Sequence, residues 1–68
     1  MKNNLKVQRA MNNLTQADLA ERVKVSRQTI NAIEKGDYNL STILALKIAE
    51  VFEKGVNEIF VLEDSDLK

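Results

Sequence analysis

Thr15 and Ser26 constrain this chain more than any other feature of its sequence. Each is a hydroxyl residue directly before a run with helical spacing. There a side-chain oxygen can accept a bond from one of the free N–H groups of a first helical turn. Thr15 opens "TQAD", with Asp18 three residues on, the spacing of a capping box. Ser26 opens "SRQTINAIEK", and Gly36 can end that run in the left-handed conformation. Only residues 16–25 lie between the two caps. That leaves room for about two turns of helix and a tight turn at Lys24 and Val25.

The remaining segments read in the same way. The first helix is expected over Asn4–Met11, with Leu5, Val7, Ala10 and Met11 as its apolar side, and "NNL" breaks it. Leu19, Ala20 and Val23 form the inner face of the second helix. "DYNL" is a loop, and Ser41 caps a fourth helix, "STILALKIAEVFE", in which Ile43/Leu44, Ile48, Val51 and Phe52 recur at helical spacing. Gly55 is expected to end it. "VNEIF" gives one further turn, with Asn57 as its cap, and the acidic tail "VLEDSDLK" is expected to fray. No repeat, low-complexity tract or linker divides the chain. The expectation is one all-α domain over residues 1–68, with its core at about 4–60 and a tail at 61–68.

Sixty-eight residues bury only about 60% of the surface that the unfolded chain exposes, so dimerisation is a natural source of stability. Cysteine and histidine are absent. That removes disulfides, the usual zinc ligands and the usual general base near neutral pH, so no metal, cofactor or catalytic residue is expected. The carboxylates Glu50 and Glu53 fall on a helix surface with nothing to dehydrate them, and an enzyme is not expected. No run approaches the roughly 18 apolar residues of a membrane span, and no signal peptide is recognisable. We expect a cytoplasmic protein without a membrane partner. Net charge is zero, but it is unevenly spread. Residues 1–36 carry seven basic and three acidic side chains, a net of +4, and residues 37–68 carry three and seven, a net of −4. One half suits a polyanion better than the other.

The third helix carries the chemistry. Ile30 and Ile33, with Thr29 beside them, define its buried side, and Gln28, Asn31, Ala32 and Lys35 lie opposite, with Arg27 at the leading end. Two helices joined by a three- or four-residue turn, the second polar outside, form a helix-turn-helix. Such a helix fits the major groove of B-DNA, about 12 Å wide. Arginine can donate twice to guanine, glutamine and asparagine can pair with adenine, and Ala32 can touch a thymine methyl. Gln16 opens the second helix, where free N–H groups make an anion site, so it is expected at a phosphate.

With these residues in place, "LTQADLAERVKVSRQTINAIEKG" followed by "YNLSTILALKIAEVF" resembles the Cro/cI-type, xenobiotic-response-element (XRE) family of transcriptional regulators, over about residues 4–60. "TQADLA", "VSRQTINAIE" and "LALKIA" are the most specific pieces. The resemblance implies a compact five-helix, lambda-repressor-like domain with its helix-turn-helix at helices two and three. It also implies double-stranded DNA as partner, a homodimer, and usually a repressor. It places base contacts at Arg27, Gln28, Asn31 and Ala32. Phosphate contacts fall at Gln16, Ser26 and Thr29, with Lys35 and Asn39 beside them. It further implies a structural ion pair between Arg9 and Glu34. Small members of the family often use their tails in an extended strand, so "IFVLE" can be β instead of helical. Three positions depart from the family pattern. Leu40 stands where proline is usual, Asp37 where a basic residue is common, and Gln8 where the residue is often apolar.

Val56, Ile59, Phe60, Val61 and Leu62 form a dense apolar group at the C-terminal end. Ile59 is expected in the core, and Val56, Phe60, Val61 and Leu62 at a dimer interface. No room is left for a ligand-sensing domain, so no small-molecule ligand is expected. A second reading stays open: a protein-interaction module or antitoxin that keeps this fold and binds DNA weakly.

Overall fold

The computed structural model describes residues 1–67. In chain order it contains β1 (Lys2–Asn3), α1 (Leu5–Met11), α2 (Gln16–Val23), α3 (Arg27–Lys35), α4 (Thr42–Val51), α5 (Val56–Ile59), β2 (Phe60–Val61) and a final 3-10 turn (Asp64–Leu67). Hydroxyl caps set three of the helix starts. Thr15 Oγ1 accepts from Asp18 N–H at 3.0 Å while the Asp18 carboxylate accepts from Thr15 N–H at 2.9 Å, closing the capping box. Ser26 Oγ accepts from Thr29 N–H and Ser41 Oγ from Leu44 N–H, each at 3.1 Å. Gly36 ends α3 at φ 80°, in the left-handed region that a Cβ disfavours.

The core is one cluster. Leu5, Leu19, Ile30, Ile48 and Ile59 are fully buried, and Val23, Ile33, Leu44 and Phe52 close around them. α2 packs on both α3 and α4, which aims the outer side of α3 away from the cluster. Burying each large aliphatic side chain stabilises the fold by roughly 1.5–3 kcal/mol.

Helix one differs from its expected face. Val7 and Met11 are 56% and 67% exposed, and Ala10 is exposed too, whereas Gln8 is buried. Leu5, Gln8 and Arg9 follow the i, i+3, i+4 ridge of a helix, and Arg9 is tied inward by an ion pair described below. That tie turns the ridge toward the core and sends Val7 and Met11 to solvent. Gln8 Oε1 is left buried without a hydrogen-bond partner, a cost that an apolar residue would avoid.

The C-terminal half needs three corrections. Gly55 does not end α4. The helix stops at Val51, the chain reverses through Glu53 at φ 54°, and Gly55 at φ −71° is instead the cap of α5. Asn57 is therefore inside α5 and not its cap. Glu58 supplies the capping contact, its carboxylate accepting from Gly55 N–H at 2.6 Å. The tail up to Leu67 does not fray. It makes the 3-10 turn, and Asp66 and Glu63 each lie 3.1 Å from the Met1 ammonium. Lys68, the last residue of the expected tail, falls outside the described residues.

The extended reading of "IFVLE" holds for two residues. β2 pairs antiparallel with β1, Lys2 opposite Val61 and Asn3 opposite Phe60. The strand pair works as a strap. Asn3 Nδ2 donates to the Ile33 carbonyl at 2.8 Å, and Asn3 Oδ1 accepts from Leu5 N–H at 3.1 Å. One carboxamide thus joins the end of α3 to the start of α1.

The turn between α2 and α3 contains a strained residue. Lys24 sits at φ 64°, ψ 44°, where side chains other than glycine are disfavoured. Relief of that strain exceeds the extra chain entropy of glycine, so Lys24→Gly should raise stability by roughly 0.5–1 kcal/mol. The urea midpoint should rise at unchanged slope. A fall would mean that the Lys24 side chain contributes more than its backbone costs.

Candidate nucleic-acid interface

The face presented by α3 begins with its register. Ile30 and Ile33 are buried and Thr29 is half-buried, as a 3.6-residue period requires. Arg27, Gln28, Asn31 and Lys35 are exposed, and Ala32 is half-buried among them. All five therefore share the outward side, in the arrangement expected for base contacts and a flanking phosphate contact. Ser26 and Thr29 stand at the leading edge, their hydroxyls 2.9 Å apart. Asn39 is exposed in the loop after α3, and Asp37 is exposed beside it.

Behind this face stands a network built around Arg9. Its Nε donates to Glu34 Oε2 at 2.5 Å and its Nη2 to Glu34 Oε1 at 3.1 Å, a bidentate pair. Its Nη1 donates to the Leu14 carbonyl at 3.0 Å. One guanidinium thereby holds α1, the loop before α2 and the last turn of α3. The side chains are 13% and 8% exposed, so the pair is largely dry. The expected ion pair is present. Burial pushes the Glu34 carboxyl up, but the bonds from Arg9 and Gln16 outweigh it and hold the group below its ordinary value.

Gln16 does not stand as a free phosphate ligand. Its Nε2 lies 3.1 Å from Glu34 Oε1 and 3.3 Å from Asn31 Oδ1, so both donors of the amide are engaged within the protein. The physical reason is the Glu34 carboxylate, which can only accept and so draws the amide nitrogen inward. Sequence spacing gave no sign of this, because Gln16 and Glu34 meet only through the packing of α2 on α3. A shallow recess remains at the start of α2, lined by Asn13, Thr15, Gln16, Ala17 and the two arginines Arg9 and Arg27. The helix N-terminus and the Arg27 guanidinium favour an anion there, while the Arg9 guanidinium is committed to Glu34 and Leu14.

The apolar group at the other end divides. Phe60 is buried within the chain and so is largely withdrawn from any interface, Val56 is half-buried, and Val61 and Leu62 are exposed. Phe60 is drawn in because β2 lays it against the core. On α4, Ile43 and Leu46 are 69% and 55% exposed. Leu46 borders an apolar cleft formed with Leu40, Ala45, Val56 and Phe60. No group of acidic side chains able to hold a metal ion is found among the described residues, and none of their helices is long and apolar enough to cross a membrane.

Two capped helices at a tight turn, the second buried on one side and polar on the other, define a helix-turn-helix domain of the kind that docks on DNA. The chain belongs to that family: the helix-turn-helix family model matches residues 5–59, and the pattern is that of its XRE-type members. An uncharacterized HTH-type transcriptional regulator of Methanocaldococcus jannaschii is 56% identical over 66 residues, 97% of this chain and 100% of that protein. The uncharacterized HTH-type transcriptional regulator YgzD of Bacillus subtilis is 47% identical over 66 residues, again 97% and 100%. Among solved structures, the restriction-modification controller protein C.AhdI of Aeromonas hydrophila superposes with a TM-score of 0.75 at 28% identity, over 82% of this chain and 85% of that one. The chain thus has the DNA-binding fold of HTH transcriptional regulators.

The Glu34 network has a signature in acid. A carboxyl whose folded pKa is depressed contributes stability that is fully present above its unfolded value, about 4.3, and lost as pH falls through the folded one. Glu34→Gln should therefore show a shallower loss of stability below about pH 4 than the parent. Asp18, whose carboxyl is lowered mainly by the Thr15 N–H, titrates in both proteins and cancels in the comparison. Parallel stability curves across that range would show that the pair contributes nothing pH-dependent.

Proposed function

We propose that the chain is a sequence-specific transcriptional regulator that binds an inverted-repeat operator as a homodimer and represses by occluding a promoter. The observation that supports this most directly is the outer face of α3, where Arg27, Gln28, Asn31 and Lys35 are all exposed on a helix anchored from behind by Arg9 and Glu34. Arg27, Gln28, Asn31 and Ala32 read base edges, and Ser26, Thr29, Lys35 and Asn39 approach the sugar–phosphate backbone. The recess at the start of α2 receives a phosphate beside Arg27, with Gln16 serving there through its helix position and not its amide donors. The relatives named as HTH-type transcriptional regulators support the regulatory role.

Dimerisation follows from size and from reach. One recognition helix touches only a few base pairs, and two related by a twofold axis read half-sites about 34 Å apart. The exposed apolar side chains Ile43 and Leu46 on α4, with Val61 and Leu62 on and after β2, supply surface for that contact. The same surface favours one alternative, a protein partner of another kind, as in an antitoxin. No catalytic role is proposed for any residue, nor a cofactor or small-molecule ligand.

Selection of random duplex DNA on the protein, at about 50 mM and 200 mM salt, tests the proposal. It should enrich an inverted repeat with half-sites one turn apart, and affinity should fall steeply between the two conditions. Gln28→Ala should then cost about 1–3 kcal/mol per half-site and relax preference at one position. No enrichment at either salt would reject the DNA-reading role and favour the protein-partner alternative.

A further inference from the structure

The network behind α3 also fixes the polarity of what α3 presents. Glu34, paired with Arg9, can only accept, so the Gln16 amide must turn its nitrogen inward. That nitrogen can only donate, so the Asn31 atom facing it, 3.3 Å away, must be the amide oxygen. Each step follows from the one before, starting from a charge that is held ionised by its arginine. Asn31 is exposed, and with Oδ1 turned toward Gln16 its other end is Nδ2, which carries two N–H donors.

We propose that Gln16 is a specificity-positioning residue: it pins the Asn31 amide so that Asn31 offers only donors to DNA and reads guanine in place of adenine. An unpinned asparagine pairs with adenine by accepting from N6 and donating to N7. A pinned one has its acceptor turned toward Gln16 and away from N6. Guanine, with acceptors at both O6 and N7, satisfies both of its N–H groups. The inference rests on the DNA-reading role proposed above and adds a base identity and a cause for it.

The experiment is the same duplex selection, run in parallel on the parent protein, Asn31→Ala, Gln16→Met and Asn31→Asp. Asn31→Ala locates the position by abolishing preference there. At that position the parent should favour guanine over adenine by about tenfold, the scale of one good base contact. Gln16→Met keeps the side-chain length and removes the pin, and should bring adenine to within about twofold of guanine or above it. Asn31→Asp changes an exposed side chain, so the fold should survive even if Gln16→Met fails to fold. It leaves an acceptor facing the groove and should shift preference to cytosine, whose N4 amine donates. A merely structural role for Gln16 would weaken binding on all sequences alike and leave the guanine-to-adenine ratio where it was. That result, adenine preference in the parent, or a guanine preference that survives Asn31→Asp would overturn the inference while leaving DNA reading intact. Failure of the parent to enrich any sequence would overturn both.

Discussion

The bidentate pair between Arg9 and Glu34 is the interaction on which the candidate interface depends. It joins the first helix to the last turn of the third, and through Leu14 and Gln16 it reaches the loop and helix between them. A dry ion pair is weak evidence for stability, because the cost of removing two charges from water offsets most of their attraction. Its geometric effect is less ambiguous. Arg9 has few ways to satisfy its donors while buried, and each available partner belongs to a different segment. The orientation of α3 relative to α1 and α2 is thereby fixed to one solution, and the rotation of α1 that exposes Val7 and Met11 follows from the same constraint.

Around that pair the fold divides its work. Three hydroxyl caps start α2, α3 and α4 at defined residues, and left-handed residues at Lys24 and Gly36 end α2 and α3. These local choices set the length of each helix, and therefore which side chains of α3 fall outward. The aliphatic cluster takes in Ile30 and Ile33 and so turns the opposite side of α3 outward. The strap formed by β1 and β2 adds a second constraint from the far side, where Asn3 holds the Ile33 carbonyl. Two polar anchors, one from α1 and one from the N-terminal strand, thus grip the end of the helix proposed to enter the groove.

Much of this was legible in the sequence because it is local. The caps at Thr15, Ser26 and Ser41, the stop at Gly36 and the alternation of buried and exposed residues along α3 all depend on neighbours within one turn. The Arg9–Glu34 pair was legible only through the family resemblance, since the two residues are far apart in the chain. What escaped depends on tertiary packing. The bonds of the Gln16 amide to Glu34 and Asn31 are one such feature, because the carboxylate that engages it arrives from another helix. The role of Gly55 is ambiguous in the sequence because glycine suits both ends of a helix, and here Glu58 favours the start of α5. The burial of Phe60 is not legible because it requires a partner strand from residues 2–3, a pairing that no pattern in those two residues announces.

The most direct test of this account replaces the ion pair by an apolar one. The double variant Arg9→Met/Glu34→Leu should fold with stability within about 2 kcal/mol of the parent, because exchange of a buried pair for apolar groups of similar volume is often neutral or better. If the pair exists to organise the interface, the folded variant should bind DNA with its base discrimination lost, Gln16 and Asn31 no longer being oriented. A folded variant that selects the same operator with undiminished discrimination would show that the helix is held by the aliphatic core alone, and would contradict the account.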